Sequence, residues 1–379
     1  MNWVALKILT GDRGKCLALV FGVTFAALLM AQQVSVFWGV MLRTTSQIRD
    51  VQEADVWVMD PRVRYIDEAP TLARGYLERV RGVPGVAWAV PFYKGTVQAR
   101  LRNGASRLMI LLGVDDATLV GAPREMVLGS VADLRRPDGI LLGETGYHFL
   151  WPGEPLRLGR TLEINDLRGV VVGICKTSAP YQTYPVAYTR FSLASRFAPV
   201  DRNHMPFVLV KARADADIAA VCSAITARTG LRALGKEEFC WATMRYYLEK
   251  TGIPVNFGIT VFLGFVVGVA VAGQTFYLFT IENLRQFGAL KAMGVGNARL
   301  VGMILLQALV VGTVGYGLGM GLTALFFEWT KNLVHLQGFF LPWQVMAGTA
   351  GAVLLIVVLA SLVSIRRVLV LEPAVVFRG

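Results

Sequence analysis

Four long stretches of the chain contain no Asp, Glu, Lys or Arg, and each is long enough to cross a lipid bilayer. About 20 mainly apolar residues span the hydrocarbon core as a helix, and in lipid a helix satisfies its own backbone polar groups. The pattern therefore predicts a membrane protein with four spanning helices. The uncharged stretches are residues 16–42, 251–281, 300–327 and 332–365.

The sequence between the first two stretches predicts a large polar domain on one side of the membrane. The whole chain is 54% hydrophobic, but the excess lies in the four stretches. The expected fold class is a membrane protein of α+β class, with four transmembrane helices and a large α/β domain that carries a β-rich lobe. The predicted segments are an N-terminal segment (1–15), span 1 (16–42), the large domain (43–250, with the β-rich lobe at about 96–205), span 2 (251–281), a loop (282–299), span 3 (300–327), a short loop (328–341), span 4 (342–365) and a tail (366–379).

Two strand–helix–strand units are predicted at the ends of the large domain. In each, a run of alternating residues is followed by a helical stretch and a second short strand. Gly230 ends the second helix, and the two units are expected to pair into one mixed sheet. The first unit covers 54–59, 71–81 and 86–90, and the second covers 207–212, 215–229 and 231–234.

The β-rich lobe lies between these two units in the sequence. Residues 96–102 and 106–114 alternate around Asn103-Gly104, which is a strong hairpin signal. Further short strands are expected at 140–143, 156–158, 162–164 and 170–174.

The segment 236–250 is predicted to be a helix that continues into the second span. A continuous helix would make the large domain and that span one rigid lever. Gly252 and Pro254 argue for a flexible stalk instead, because glycine loosens a helix and proline interrupts it.

Basic residues flank the predicted spans unevenly. The net charge is +12, and ten of the 38 basic and four of the 26 acidic residues lie outside residues 43–250. Nine of those ten fall on one side if the N-terminus is cytoplasmic, which leaves Lys331 on the other. Lys and Arg near span ends resist translocation, so both termini are predicted inside and the large domain outside. Residues 3–9 are expected to lie along the inner surface, with Trp3 in the headgroups.

No residue pattern predicts an enzyme. The domain cysteines Cys175, Cys222 and Cys240 are odd in number and form no C-x-x-C pair, so neither a disulfide framework nor a zinc site is indicated, and their disulfide state is left open. The stretch 11–16 matches a phosphate-binding loop only in part, because it lacks the first glycine and the hydroxyl residue after Lys15. We expect no catalytic residue, no metal ion and no bound cofactor in this chain.

The loop after the second span holds the most specific sequence, E-N-L-R-Q-F-G-A-L-K-A-M-G over residues 282–294. Its large apolar residues recur every three positions, so one face of a short helix would be apolar. Such a helix can lie in lipid headgroups or dock into a protein groove. A plain surface turn would not need four large apolar side chains in register, here Leu284, Phe287, Leu290 and Met293.

This loop resembles the signature of the MacB/FtsX-type ABC transporter permeases, roughly E-x-x-R-E-[IF]-G-x-L-K-A-[LM]-G. Gln286 stands where the family commonly has a glutamate, so an ion pair is not expected there. One anchor, a large domain and three further spans are also that family's layout, over essentially the whole chain. Residues 25–32 and 54–61 look closest to the DevC branch. The matching residues are Glu282, Arg285, Phe287, Gly288, Leu290, Lys291, Ala292, Met293 and Gly294.

The resemblance implies a mechanical role in the bacterial inner membrane. The loop, with Leu284 among its contact residues, would couple to a cytoplasmic ABC ATPase dimer that binds ATP and Mg²⁺. Further implied partners are a second copy of the permease, a periplasmic HlyD-type adaptor and an outer-membrane channel. Two alternatives stay open: an FtsX-like regulator of a periplasmic cell-wall hydrolase, and a LolC-like permease that releases lipoproteins.

Small residues four positions apart indicate where spans pack closely. They fit either packing within one chain or a dimer interface, and packing within one chain is the favoured interpretation. The pairs are Gly264 with Gly268, Gly315 with Gly319, and Gly317 with Gly321.

Overall fold

The computed structural model describes residues 2–68, 70–198, 205–331, 333 and 338–369. Most of the predicted tail (370–379) and parts of the predicted short loop and β-rich lobe lie outside this range. The helices are α1 (Asn2–Gly11), α2 (Arg13–Thr44), α3 (Ser46–Asp50), α4 (Gly75–Arg81), α5 (Glu144–Leu150), α6 (Phe191–Phe197), α7 (Ile218–Thr229), α8 (Lys236–Lys250), α9 (Ile253–Glu282), α10 (Leu284–Ala292), α11 (Asn297–Thr330) and α12 (Trp343–Leu369). The strands are β1 (Val56–Met59), β2 (Val86–Arg100), β3 (Ser106–Val114), β4 (Met126–Leu128), β5 (Gly139–Gly143), β6 (Thr161–Ile164), β7 (Leu167–Cys175), β8 (Val186–Arg190), β9 (Phe207–Ala212) and β10 (Arg232–Gly235).

The chain divides into two compact units. The membrane unit combines Met1–Gly39 with Gly252–Gly379, and the large domain is Val40–Thr251. In the membrane unit, α2, α9, α11 and α12 are each long and apolar enough to cross a bilayer. The four predicted spans are thus present as helices, and the predicted α+β membrane fold is confirmed.

Helix α1 is a separate amphipathic helix before the first span. Ala5 and Leu9, one turn apart, are buried, whereas Trp3 is 68% exposed. The Lys7 ammonium nitrogen lies 4.8 Å from the centre of the Trp3 ring. One face of α1 therefore packs inside the membrane unit while the opposite face is open.

Close packing of α2 in the membrane unit depends on glycine. A Cβ added at Gly319 would lie 2.7 Å from the Cβ of Ala27 and 2.9 Å from the carbonyl oxygen of Thr24. These distances are too short for any side chain, so α11 and α2 meet backbone to backbone there. The predicted packing glycines that face α2 are Gly264, Gly268, Gly315 and Gly319, whereas Gly317 and Gly321 face open space.

The strands of the large domain form one mixed sheet in the order β10-β1-β9-β2-β3-β8-β5-β7-β4, with β6 beside β2 and β7. The two predicted strand–helix–strand units do interlock, since β9 lies between β1 and β2. Their four strands are antiparallel, in a split β-α-β arrangement. The parallel pairs, β3 with β8 and β5 with β7, lie instead in the β-rich lobe.

Strand β2 is 15 residues long and runs from the α/β part into the lobe. It joins two predicted strands, 86–90 and 96–102, into one. The predicted hairpin with β3 is confirmed, with Arg100 opposite Ser106 and Gly104 at a φ of +81° in the turn. The strand predicted at 156–158 is wrong, because these residues form a loop, and β4 and β8 were not predicted.

The sheet is covered on both faces. In β1, Val56 and Val58 belong to one buried cluster, while Trp57 and Met59 belong to the other. Helices α4 and α7 pack on the first face and α8 packs on the second, through Phe239. The domain thiols are buried and free in this structure: Cys175, Cys222 and Cys240.

The predicted continuity of 236–250 with the second span is wrong. Helix α8 ends at Lys250, Thr251 is extended with φ −121° and ψ 158°, and α9 begins after Gly252. Pro254 lies in the first turn of α9, where its missing N–H costs nothing. The large domain is therefore joined to α9 through a break in the helix.

Gly319→Ala should destabilise the membrane unit by about 1–3 kcal/mol, because the added methyl group overpacks the α2–α11 contact. Gly321→Ala is the matched control, since it has the same helix preference but open space around it. Thermal unfolding of the full chain in detergent, followed by circular dichroism, measures both. Equal losses in the two variants would contradict the packing described here.

Candidate functional site

Local hydrogen bonds end α9 just before α10 and end α10 just before α11. The Asn283 side-chain amide donates to the carbonyl of Phe279, 2.8 Å away, at the end of α9. At the other end Gly294 has a φ of +88°, its N–H donates to the carbonyl of Lys291, and the N–H of Val295 donates to that of Leu290, both at 3.1 Å. This is a Schellman cap, whose left-handed position favours glycine. The cap fixes where α10 stops and α11 starts.

The apolar face of α10 packs inside the chain itself. Phe287 is fully buried, in one cluster with Ala5 of α1, Leu300 of α11 and Val368 of α12. Leu284 and Leu290 of the predicted face are half-buried against the same cluster, and Gly288 is buried. Three of the four large apolar side chains thus hold α10 against the other helices of the membrane unit.

The opposite edge of α10 is open. Met293 is 71% exposed, because it lies at the cap, where the helix ends and no longer repeats its buried face. Arg285 and Gln286 are exposed as well. Within the part of the chain that the structure describes, Arg285 has no ion-pair partner.

Polar contacts tie the start of this region to the N-terminal segment and its end to α12. The Glu282 carboxylate pairs with Lys15, whose Nζ lies 2.7 Å from a carboxylate oxygen of Asp12. Hydrogen bonds from Lys15 hold the pKa of Asp12 below its usual range. The Lys291 Nζ donates to the carbonyl of Leu369 at 3.2 Å. Two of the predicted coupling residues, Glu282 and Lys291, therefore have partners inside the chain.

The contribution of α1 was not predicted from the sequence. Gln307 of α11 is buried and donates from Nε2 to the carbonyl of Ala5 at 2.8 Å. The sequence does carry one signal for this contact. Gln307 is an amide side chain within an apolar span, and a buried amide needs a hydrogen-bond partner. The sequence could not show that this partner is a backbone carbonyl near the N-terminus.

The large domain holds its two chain ends together at a second cluster. Lys236, the first residue of α8, donates from Nζ to the carbonyls of Arg49 (3.2 Å) and Val51 (2.6 Å), at the end of α3. Its backbone N–H donates to the carbonyl of Asp55 at 2.8 Å. The Asp55 carboxylate accepts from Lys211 Nζ of β9, also at 2.8 Å. We call these contacts the Lys236 clamp.

The C-terminal half of α8 is fixed to the sheet by a buried ion pair. Lys94 of β2, 5% exposed, pairs with Asp67. The other Asp67 oxygen accepts from the hydroxyl of Tyr247 at 3.0 Å. Burial lowers the pKa of Lys94, and the charge of Asp67 opposes that shift. Among the described residues no group of three or more His, Cys, Asp or Glu side chains could hold a metal ion.

Two family models match this chain, one mainly over the large domain and one over the C-terminal part of the membrane unit. The family model of the MacB-like periplasmic core domain matches residues 16–228, and that of the FtsX-like permease C-terminal matches residues 258–373. An uncharacterized ABC transporter permease of Methanocaldococcus jannaschii is 20% identical, over 99% of this chain and 96% of its own. One of Mycobacterium tuberculosis is 24% identical, over 80% of this chain and 78% of its own.

Two solved structures are each similar to about half of this chain. The periplasmic region of MacB from Actinobacillus actinomycetemcomitans covers 54% of this chain and 96% of its own, at 14% identity and a TM-score of 0.37. The extracellular domain of YknZ, a noncanonical ABC-type transporter from Gram-positive bacteria, covers 48% and 98%, at 14% identity and a TM-score of 0.34.

Phe287→Ala should lower the stability of the membrane unit by about 3–5 kcal/mol, because it opens a cavity in a fully buried cluster. Met293→Ala, a change of similar kind at an exposed position, should stay within about 0.5 kcal/mol. Thermal unfolding of both variants in the same detergent measures the difference. Similar values for the two would mean that the apolar face of α10 does not pack inside the chain.

Proposed function

This chain belongs to the family of MacB/FtsX-type ABC transporter permeases, and we propose that it passes the ATP-driven motion of a separate ATPase to its large domain. The family implies a partner ATPase. ATP and Mg²⁺ are then bound by a cytoplasmic ATPase dimer, and this permease supplies the surface that the ATPase moves. No step of the proposal needs a nucleotide site in this chain.

Helix α10 is the observation that carries the proposal. Its open edge, with Arg285, Gln286 and Met293, is free to enter a groove on a partner. Its closed face, through Phe287, is packed against α1, α11 and α12. A push on the open edge is therefore shared among several helices, which is the behaviour expected of a coupling element.

In this proposal the predicted coupling residues fall into two groups according to their exposure. Arg285 and Met293 are the proposed contacts with the ATPase. The other predicted residues keep α10 in position, since they are buried, half-buried, capped or paired within the chain: Glu282, Leu284, Phe287, Gly288, Leu290, Lys291 and Gly294.

Motion of the spans reaches the large domain along the chain through α2 and α9. Helix α2 leads into α3, and α8 leads into α9. The Lys236 clamp joins the end of α3 to the start of α8 and to the edge of β1 and β9. In this proposal the clamp makes the motions of α2 and α9 act together on the sheet. The break at Thr251 lets α8 and α9 change their relative angle.

The proposed assembly is an exporter in a bacterial inner membrane, with both termini in the cytoplasm. It contains two copies of this chain, a HlyD-type adaptor and an outer-membrane channel, and it handles its substrate on the outer side. Gly317 and Gly321 are the two predicted packing glycines with open space around them, and they remain candidates for contact with the second copy.

Affinity purification of the full chain in mild detergent distinguishes the possible assemblies. Recovery of an ATPase with a HlyD-type adaptor is the expected result. Recovery of a cell-wall hydrolase would favour the FtsX-like regulator, and accumulation of lipoproteins in the inner membrane on depletion would favour the LolC-like alternative. Hydrolysis of ATP by the purified chain alone would contradict the proposed division of labour.

Arg285→Glu and Met293→Glu should weaken binding of the ATPase about tenfold or more, because each puts a repulsive or desolvated charge at the docking edge. Co-purification and ATPase titration in detergent measure this. Lys331→Glu is the control, since it reverses an exposed charge just past the other end of α11. Binding that survives both α10 substitutions would refute the docking surface.

Lys236→Met nearly keeps the length of the side chain but removes its hydrogen bonds to the carbonyls of Arg49 and Val51. We expect the ATPase to bind and hydrolyse ATP as before, while nucleotide-dependent changes in hydrogen exchange of β1 and β9 disappear. Lys250→Met, at the exposed end of the same helix, is the control. An unchanged exchange response in Lys236→Met would show that motion bypasses the clamp.

A further inference from the structure

A basic cleft lies in the β-rich lobe of the large domain. It has a volume of about 450 Å³ and opens between the turn that joins β2 to β3 and the loop that precedes β6. Its lining includes Arg102 from the turn, and Trp151, Arg157, Leu158 and Arg160 from the loop. None of these residues belongs to the coupling helix or to the Lys236 clamp.

The loop on one side of the cleft is held in place by hydrogen bonds to the buried side chain of Tyr147. Tyr147 of α5 is fully buried, and its hydroxyl donates to the carbonyl of Pro155 at 2.9 Å. The same hydroxyl accepts from the backbone N–H of Arg157 at 3.1 Å. One buried side chain therefore sets the path of the loop, which explains why the predicted strand at 156–158 does not form.

The arginine at the base of the cleft is also fixed. Arg160 stacks over the ring of Trp151, 4.9 Å from its centre, and lies 5.8 Å from the centre of the Tyr147 ring. It pairs with Glu154, the acidic residue in the lining. Cation–π contact and the ion pair together hold the Trp151 ring and the guanidinium group as a rigid wall.

The other two arginines keep their charge available. Arg102 uses Nε to donate to the hydroxyl of Thr161 at 3.0 Å, which orients its guanidinium group. Both Arg102 and Arg157 are exposed. Neither has a carboxylate partner in the described ranges, and Glu154 offsets only one of the three positive charges. The cleft thus presents the exposed guanidinium groups of Arg102 and Arg157. Beside them lie the Trp151 ring and the exposed side chain of Leu158.

We propose that this cleft binds an acidic segment of another protein. Side-chain carboxylates of the segment would pair with Arg102 and Arg157, since the guanidinium fork matches a carboxylate. An apolar side chain next to them would pack against Trp151 and Leu158. Small-molecule pockets are lined mainly by apolar groups, whereas arginine and tryptophan dominate the binding energy of protein interfaces. The proposal does not depend on what the permease exports.

The test uses the full chain in nanodiscs of phosphatidylcholine and a fluorescein-labelled peptide of sequence Glu-Glu-Leu-Glu-Glu. Fluorescence anisotropy should show binding that weakens with salt, and none to the same peptide with Gln in place of Glu. Arg102→Glu and Arg157→Glu should each weaken binding about tenfold or more. Both positions are exposed, so the fold should survive the change.

Arg213→Glu is the matched control. It reverses an exposed charge of the same domain that does not line the cleft, and it should leave the affinity unchanged. Equal binding of the peptide by wild type and both cleft variants would overturn the proposal. So would displacement of the peptide by inorganic phosphate at millimolar concentration, which would indicate a site for small anions. Displacement of the peptide by soluble short-chain phosphatidylglycerol, but not by short-chain phosphatidylcholine, would also overturn the proposal and indicate a lipid-binding surface.

Discussion

The large domain is connected to the membrane unit at two points of the chain, after Gly39 and before Gly252. Force that travels along the chain must pass one of these points. The first lies within a continuous helix, because α2 runs from Arg13 to Thr44 without a break. The second is interrupted at Thr251. The contacts of Lys236 matter for this reason, since they join the stiff connection to the interrupted one.

Features set by local rules could be predicted from the sequence. The spans follow from the lengths of uncharged sequence, the β2–β3 hairpin from Asn103-Gly104, and the end of α7 from Gly230, which has a φ of +70°. Strand order is different, because pairing joins distant segments. The insertion of β9 between β1 and β2 leaves no trace in either strand, and the loop at 156–158 depends on a hydrogen bond that the Arg157 N–H donates to the Tyr147 hydroxyl.

Helix α10 shows the same limit at a single site. Three-residue spacing correctly predicted that α10 has an apolar face, but spacing does not say what covers a face. The structure places Phe287 against α1, α11 and α12 and leaves Met293 outside. The distinction arises from Gly294, whose left-handed conformation ends the helix at Ala292 and leaves Met293 as the cap residue. A cap residue can therefore continue the three-residue spacing of the apolar face in the sequence and still be exposed in the structure.

The contact between α1 and α11 also imposes an order on biosynthesis. Gln307 and the Ala5 carbonyl to which it donates are 302 positions apart, and Val368 of the same cluster is translated later still. A ribosome-bound chain therefore carries Phe287 without its full cover until the last span has been inserted. A chain that ends before α12 would expose more of this aromatic side chain, because Val368 would be missing from its cover.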